Sequence, residues 1–292
     1  MSSKFDYLEK KGLVADAPPF LKNSVCYEVV MGSVAYGVSN DSSDMDIYGF
    51  CIPPKDILFP YHNGNIFGFD TDFPKFEHYV KHHIHTEKAE YDITIYNICK
   101  YFQLVAQNNP NMVDSLFVPA TCVLYSNPIG NLVRENRHIF LHKGCWHKFK
   151  GYAFSQIKKA SSQQRTGKRA DSVEKYGYDL KFAYHVVRLM LEVEQILAEQ
   201  DLDLQRHREQ LKAIRQGHWS LKQIEEFFSD KEKQLEKLYH ESKLPYSPDM
   251  TEIRSLLSKC INMYFSDTVL AVEEKVYKEA IEKIRQIANN LA

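Results

Sequence analysis

Apolar residues follow two different periods along this chain of 292 residues. In the first half, short runs rich in β-branched and aromatic residues predict strands at 25–31, 47–52 and 91–96. Helices are predicted directly after the last of these strands, at 97–107 and 109–117. Beyond about residue 145 the helical period takes over. Helices are expected there at 146–163, 172–200, 205–215, 220–241, 249–261 and 265–291.

This change of period predicts two domains. Residues 1–145 are expected to form an α/β (α+β) domain built on a mixed sheet, and residues 146–292 a helical domain. Because ligand sites occur preferentially at domain interfaces, the substrate cleft is expected between the two.

A glycine turn follows the first predicted strand. Gly32 ends that strand, and Ser33 is predicted as the N-cap of a short helix whose first turn is 34–36. The unpaired N–H groups and the dipole of a helix N-terminus favour an anion. A residue without Cβ also lets a phosphate oxygen approach the backbone. The segment therefore predicts a binding site for a triphosphate.

Two carboxylates come one polar loop later. Asp44 and Asp46 lie at the start of the second predicted strand, where residues two apart point to the same side. Two carboxylates together with phosphate oxygens suit Mg²⁺. The turn and this pair are the combination that nucleotidyl transfer needs. A second Asp-x-Asp pair, Asp70 and Asp72, lacks a glycine turn and a flanking strand, so it is expected to be two solvated carboxylates.

The combination resembles the signature of the DNA polymerase β nucleotidyltransferase superfamily. Gly-Ser-x-Ala-Tyr-Gly at 32–37 with Ser-Asp-x-Asp-x-x-Gly at 43–49 is similar to its RNA-repair-associated, RlaP-like branch. Further segments similar to that branch lie at 92–96, 109–111, 217–220 and 244–249. The resemblance implies a nucleotidyltransferase catalytic domain that uses an NTP as substrate. It also implies Mg²⁺, with Mn²⁺ as an alternative, and a third carboxylate on a later strand of the sheet.

Asp92 is the best candidate for this third carboxylate, because the segment 91–96 alternates polar and apolar residues. Glu90 is a nearby alternative, and Asp92 by itself could simply begin the strand. The predicted catalytic and metal-binding set is therefore Asp44, Asp46 and Asp92.

One predicted helix of the second half carries a polar stripe. Lys181, His185, Arg188 and Glu192 recur at helical spacing. A solvated helix face is the alternative to a phosphate-binding one. The resemblance favours the phosphate-binding alternative, because a Lys-x-x-x-His-x-x-Arg helix recurs in the branch. The predicted nucleotide-binding set is Gly32, Ser33, Tyr36, Lys181, His185 and Arg188.

Tyr36 stands where other branches of the superfamily often carry arginine. Stacking on the nucleotide, or packing, is therefore expected of Tyr36 rather than a phosphate contact.

A basic segment with interleaved tyrosines lies before the polar stripe in the sequence, at 152–178. Its residues are Gln156, Lys158, Lys159, Gln163, Gln164, Arg165, Lys168, Arg169 and Lys175, with Tyr152, Tyr176 and Tyr178. Such residues suit a nucleic-acid backbone and stacked bases, although solvated surface is the alternative. Four histidines, His78, His82, His83 and His85, have no cysteine or carboxylate at ligand spacing, so they are expected on a strand surface and not at zinc.

Composition adds little to the choice of partner. The 37 basic and 38 acidic residues leave no bulk positive charge, so any RNA contact must come from a local patch. The six scattered cysteines are expected to be free thiols in a reducing compartment. No export signal and no membrane span is apparent, so a cytoplasmic protein without a membrane partner is expected.

Three functions of different class follow. The first is transfer of a nucleoside monophosphate from an NTP to an RNA or tRNA 3′ end, with release of pyrophosphate. The second keeps the chemistry but modifies a protein or a small molecule. The third is a non-catalytic module that binds nucleotide or RNA.

Overall fold

The computed structural model describes residues 3–39, 44–63, 75–87, 89–161 and 168–266. Its centre is a sheet of the strands β1 Val25–Val30, β2 Met45–Cys51, β3 His78–His85, β4 Glu90–Asn97 and β5 Val123–Ser126. Their order across the sheet is β3-β4-β2-β1-β5. The β2–β4 pair is parallel and the other three pairs are antiparallel, so the predicted mixed sheet is confirmed.

Helices surround the sheet, and in the described part after β5 every regular element is helical. They are α1 Lys4–Lys10, α2 Leu21–Ser24, α3 Gly32–Ala35, α4 Lys55–Leu58, α5 Ile98–Ala106, α6 Pro110–Phe117, α7 Pro128–Glu135, α8 Cys145–Ala160, α9 Lys168–Tyr176, α10 Leu180–Glu199, α11 Arg208–Arg215, α12 Leu221–Glu241 and α13 at 250–266. Short 3₁₀ turns occur at Pro60–Asn63, Ala120–Cys122 and Arg137–Phe140. The predicted order, mixed sheet first and helices after it, is confirmed. Among the described helices, none combines the length and the apolar character that crossing a membrane requires.

Each face of the sheet packs on its own hydrophobic core. Ile47 and Ile93 contribute to a smaller core with α1. Phe50 and Tyr27 belong to a larger core that includes residues of α5, α6, α8 and α10. Since successive residues of a strand point to opposite faces, Asp46 lies on the face opposite Ile47, toward the helices.

The prediction of one helix over 172–200 is wrong. Gly177 has a left-handed backbone, with φ +79°, and it ends α9. Asp179 then caps α10, because its carboxylate accepts hydrogen bonds from the N–H groups of Lys181 and Phe182. The break places Lys181 in the first turn of a new helix.

Other predicted helices begin and end within a few residues of the observed bounds. The helix predicted at 249–261 extends to residue 266, which takes in the first residues of the helix predicted at 265–291. The rest of that prediction lies outside the described residues, as do Asp70 and Asp72. The larger core draws on both sides of residue 145, from Cys26 to Cys260. The domain boundary at 145 stays a prediction.

Candidate active site

A cleft of about 630 Å³ opens between the sheet and the helices that follow it. All nine predicted catalytic and nucleotide-binding residues line this cleft: Gly32, Ser33, Tyr36, Asp44, Asp46, Asp92, Lys181, His185 and Arg188. The chain thus brings together residues from three separate stretches of sequence.

The carboxylates meet because β2 and β4 are parallel and adjacent. Asp46 is the direct register partner of Asp92. Asp44 is exposed and lies just before β2. Burial raises the pKa of Asp46, the nearby charges of Asp92 and Asp44 raise it further, and Lys181 opposes them. The site therefore concentrates negative charge at one end of two strands.

The glycine turn, residues 32–38, packs directly against Asp46. Met31 N–H donates to the carbonyl oxygen of Asp46 at 2.7 Å. Gly32 has φ +63°, and a Cβ at this position would collide with Asp46 Oδ2. Gly32 is therefore required by its backbone conformation and by the Asp46 carboxylate, in addition to any phosphate.

The predicted N-cap at Ser33 is wrong. The short helix α3 begins at Gly32, with Met31 in the N-cap position and no side-chain cap. Ser33 lies inside the turn, half-buried, where its carbonyl accepts a hydrogen bond from Val38 N–H at 2.8 Å. The helix starts two residues earlier than predicted because Gly32, with its positive φ, turns the chain directly after β1.

Asp92 is held by the neighbouring strand β3. His83 N–H donates to Asp92 Oδ1 at 2.8 Å, and His82 Nδ1 lies 3.1 Å from Asp92 Oδ2. Both contacts arise at a β-bulge, where His83 has φ +56°. The histidines thus have carboxylate neighbours in space that their sequence spacing did not reveal.

Glu90, the alternative third carboxylate, is hydrogen-bonded through Oε1 to His83 Nδ1 at 2.6 Å. This hydrogen bond raises the pKa of the exposed His83 ring. Of the two carboxylates, Asp92 lines the cleft and Glu90 does not appear among its described lining residues. All four β3 histidines are exposed, as expected of a strand surface. Within the described ranges, no three His, Cys, Asp or Glu side chains form a ready-made metal cluster.

The polar stripe of α10 divides into two environments. Lys181 is exposed and His185 is half-buried, with its ring centroid 4.2 Å from that of Tyr184. Arg188 and Glu192 are buried one and two turns further on, 2 % and 3 % exposed. The single stripe predicted from spacing therefore does not present one continuous face to the cleft.

Arg188 is the centre of a buried ionic network. Its Nη1 donates to Asp114 Oδ2 and, at 2.8 Å, to Glu192 Oε1. Its guanidinium carbon lies 4.2 Å from the centroid of the Tyr36 ring. Tyr36 Oη donates to the same Asp114 Oδ2 at 2.7 Å. Burial raises the pKa of both the Asp114 and Glu192 carboxyls, which share this one cation.

Asp114 and Arg215 are two residues of this region that the sequence did not predict. Asp114 is a lone carboxylate among Met112, Val113 and Leu116 on α6, and a charge in an apolar helix is a usable signal of a buried partner. Arg215 lines the cleft and donates from Nη1 to the Val38 carbonyl at 2.7 Å. Nothing near Arg215 in sequence points to a partner 177 positions away.

The family of the chain follows from comparison with known proteins. Residues 3–275 match the family model RlaP, described as the RNA repair pathway DNA polymerase beta family. The chain therefore belongs to this family, which makes it a nucleotidyltransferase of the DNA polymerase β superfamily.

Solved structures also match. One is the 1.90 Å crystal structure of a nucleotidyltransferase-like protein from Exiguobacterium sibiricum 255-15. It is 10 % identical, with a TM-score of 0.30, and the match covers 90 % of this chain and 92 % of that one. No curated protein matches the chain.

Proposed function

We propose that this protein transfers a nucleoside monophosphate from an NTP to a 3′ hydroxyl of RNA, tRNA included, and releases pyrophosphate. The observation that carries the proposal is the register pairing of Asp46 with Asp92, beside the glycine turn at Gly32. An RNA acceptor is supported by the description of the family, which names an RNA repair pathway.

The carboxylates fit Mg²⁺, with Mn²⁺ as an alternative. Asp44, Asp46 and Asp92 offer hard oxygen donors, and burial, together with the charges of Asp92 and Asp44, raises the pKa of the half-buried Asp46. Mg²⁺ usually takes one or two protein carboxylates, substrate phosphates and water, so a cage of three protein ligands is not needed beforehand. When bound there, the ion would neutralise phosphate charge and make the acceptor hydroxyl easier to deprotonate.

The remaining chemistry is positioning. Backbone N–H groups of the glycine turn and the Ser33 hydroxyl bind the triphosphate, and the exposed Lys181 ammonium adds positive charge. Asp92 lies on the acceptor side as ligand or base. The acceptor hydroxyl loses its proton to Asp92 or to water, its oxygen bonds to the α phosphorus as the bond to the β phosphate breaks, and pyrophosphate leaves. His185, half-buried on the cleft wall beside Tyr184, is the ring proposed to face the nucleotide.

Part of the predicted RNA-contacting segment adjoins the cleft. Tyr152 lines it and is 39 % exposed, and Lys158 and Lys159 are exposed on the same helix, α8. Gln156 is buried and therefore packs in the core instead. The side chains of residues 162–169 lie outside the described part of the chain. Tyr152 is thus the side chain proposed to stack on the end of the acceptor.

The test is incubation with Mg²⁺ and each α-labelled NTP in turn, with small RNA, bulk protein or no acceptor. Asp44→Asn/Asp46→Asn should abolish label on RNA without changing the circular dichroism spectrum. Asp70→Asn/Asp72→Asn is the matched control, since it alters the same motif where no catalysis is predicted. Label on protein or on a small product, with none on RNA, would show that the acceptor is a protein or a small molecule and not RNA. Binding of NTP without pyrophosphate release would indicate a non-catalytic module.

A further inference from the structure

The glycine turn is held from the helical part of the chain at three points. Gln205 Nε2 donates to the Ala35 carbonyl at 3.1 Å, and Arg215 donates to the Val38 carbonyl. Between these two points, Tyr36 is bonded to Asp114 and covered by Arg188. The conformation of the turn therefore depends on residues far from it in sequence.

We propose that Arg188 is a positioning residue, which holds the glycine turn through Asp114 and Tyr36 and does not bind the nucleotide phosphates. The inference rests on the proposed function, because it concerns the turn that would hold the triphosphate. It assigns Arg188 a different role from the phosphate contact that its place in the α10 stripe suggested.

The charges around Arg188 support this role. Its guanidinium is 2 % exposed, and one nitrogen, Nη1, donates to both Asp114 and Glu192. Phosphate-binding arginines offer a planar fork of donors to the ligand. Here the guanidinium lies over the Tyr36 ring, and its Nη1 already donates to two buried carboxyl groups. A phosphate group would have to compete with both carboxylates in the interior.

The network is also costly for stability alone. Within the described part of the chain, Asp114 Oδ1, Arg188 Nε and Glu192 Oε2 are buried without a hydrogen-bond partner. Incompletely satisfied ionic networks are often no more stable than apolar packing, so their value lies in specifying one arrangement. The arrangement specified here joins α10, α6 and Tyr36, the residue directly after α3.

Asp114→Asn separates the two roles of Arg188 because they predict opposite signs. If Arg188 contacts phosphate, removing the Asp114 charge releases the guanidinium and tightens NTP binding. If Arg188 positions the turn, Asp114→Asn and Arg188→Lys both loosen it. The expected result is then a kcat lowered roughly 10- to 100-fold, because small displacements of reacting groups have effects of this size.

A second readout needs no activity. The amides of Tyr36, Gly37 and Val38 are hydrogen-bonded within the turn, so hydrogen exchange reports its integrity. Deuterium uptake of a peptide covering 32–38 should rise several-fold in Asp114→Asn, Arg188→Lys and the milder Tyr36→Phe. Tyr36→Phe removes only the hydroxyl, so it keeps the test decisive if the charge variants do not fold. The control is Arg206→Lys, a conservative change in an exposed pair with Glu199, which should leave uptake at 32–38 unchanged.

Two results would overturn the inference: unchanged uptake at 32–38 in folded Arg188→Lys and Tyr36→Phe, or tighter NTP binding by Asp114→Asn. A combined Tyr36→Phe/Arg188→Lys protein should lose no more than the worse single variant, since both act through one contact. Because exchange is measured without nucleotide, this test is decided even if the wild-type protein transfers nothing. Failure of the proposed function and failure of this inference are thus distinguishable.

Discussion

Gly32 lies in the left-handed region of backbone conformation, and its missing Cβ leaves room for the Asp46 carboxylate. A single residue therefore connects the glycine turn to the carboxylates. Gly12 provides a comparison, since it has a similar φ of +71° but no atom within 4 Å of an added Cβ. Substituting each glycine by alanine therefore distinguishes the effect of backbone strain, common to both, from the effect of crowding against Asp46, which occurs only at Gly32.

Gly32→Ala should reduce transfer by more than about 100-fold, because the new methyl group must displace either the turn or Asp46. Gly12→Ala should cost about 1–2 kcal/mol of folding free energy from strain, with kcat unchanged. The measurements are kcat and the free energy of unfolding in urea for both variants. Transfer by Gly32→Ala at the rate of Gly12→Ala would show that the contact with Asp46 is unimportant.

At the scale of elements, the parallel pairing of β2 with β4 is what places Asp46 beside Asp92. Strand β1 has a different role, because it holds α1 on the face of the sheet opposite Asp46. Glu28 of β1 is fully buried, and its carboxylate accepts hydrogen bonds from Lys4 N–H at 2.5 Å and Phe5 N–H at 2.9 Å. A buried acid thus satisfies the unpaired N-terminal N–H groups of a helix.

Burial raises the pKa of Glu28 from an ordinary 4.5 to about 7. A carboxyl with a raised folded-state pKa stabilises the fold most below its unfolded pKa, and this contribution is lost as the pH rises through the folded pKa. Between pH 4.5 and 8 the wild-type protein should therefore lose on the order of 3 kcal/mol relative to Glu28→Gln, which does not titrate.

Urea unfolding of both proteins, at steps of pH across this range, measures the difference. Glu28→Gln is expected to be the less stable protein at low pH, because its amide cannot accept both N–H groups. Its deficit should shrink as the pH rises. A deficit that is constant or that grows with pH would contradict the raised pKa.

At the scale of the whole molecule, one large core crosses the predicted domain boundary. Trp146 and Phe149 of α8 and Tyr184 of α10 are buried in the same cluster as Tyr101 and Phe102 of α5. The buried pair of Arg188 with Asp114 crosses the boundary too. The cleft is formed by both parts, so its shape depends on their packing.

A fragment of residues 1–145 is therefore expected not to fold by itself. Its share of the larger core would be exposed to water, and Asp114 would lose its cation. Urea unfolding followed by circular dichroism should show a cooperative transition for the full chain and none for the fragment. A cooperative transition for the fragment would instead support an independent domain ending near residue 145.

Local pattern was enough to predict much of the fold and the residues that line the candidate site. Alternation and helical period predicted β1, β2, β4 and most of the helices, because those periods follow from backbone geometry. The glycine turn and Asp44-x-Asp46 are short motifs whose chemistry is local, and the family match agrees with the resemblance they carry. Asp92 was chosen by its place on a later strand and lies beside Asp46.

Only the tertiary structure decided which partners the buried polar groups have. Arg188 meets Asp114 across 74 positions, and Arg215 meets Val38 across 177. Pairings of this kind have no period along the chain, so spacing could not distinguish an exposed cation from one that already donates to buried carboxyl groups. The sequence by itself determined which functional side chains are present and where they lie along the chain. The packing of α6, α10 and α11 around the glycine turn decided which of these side chains are buried and which partners they have, because burial and charge pairing are properties of the folded chain.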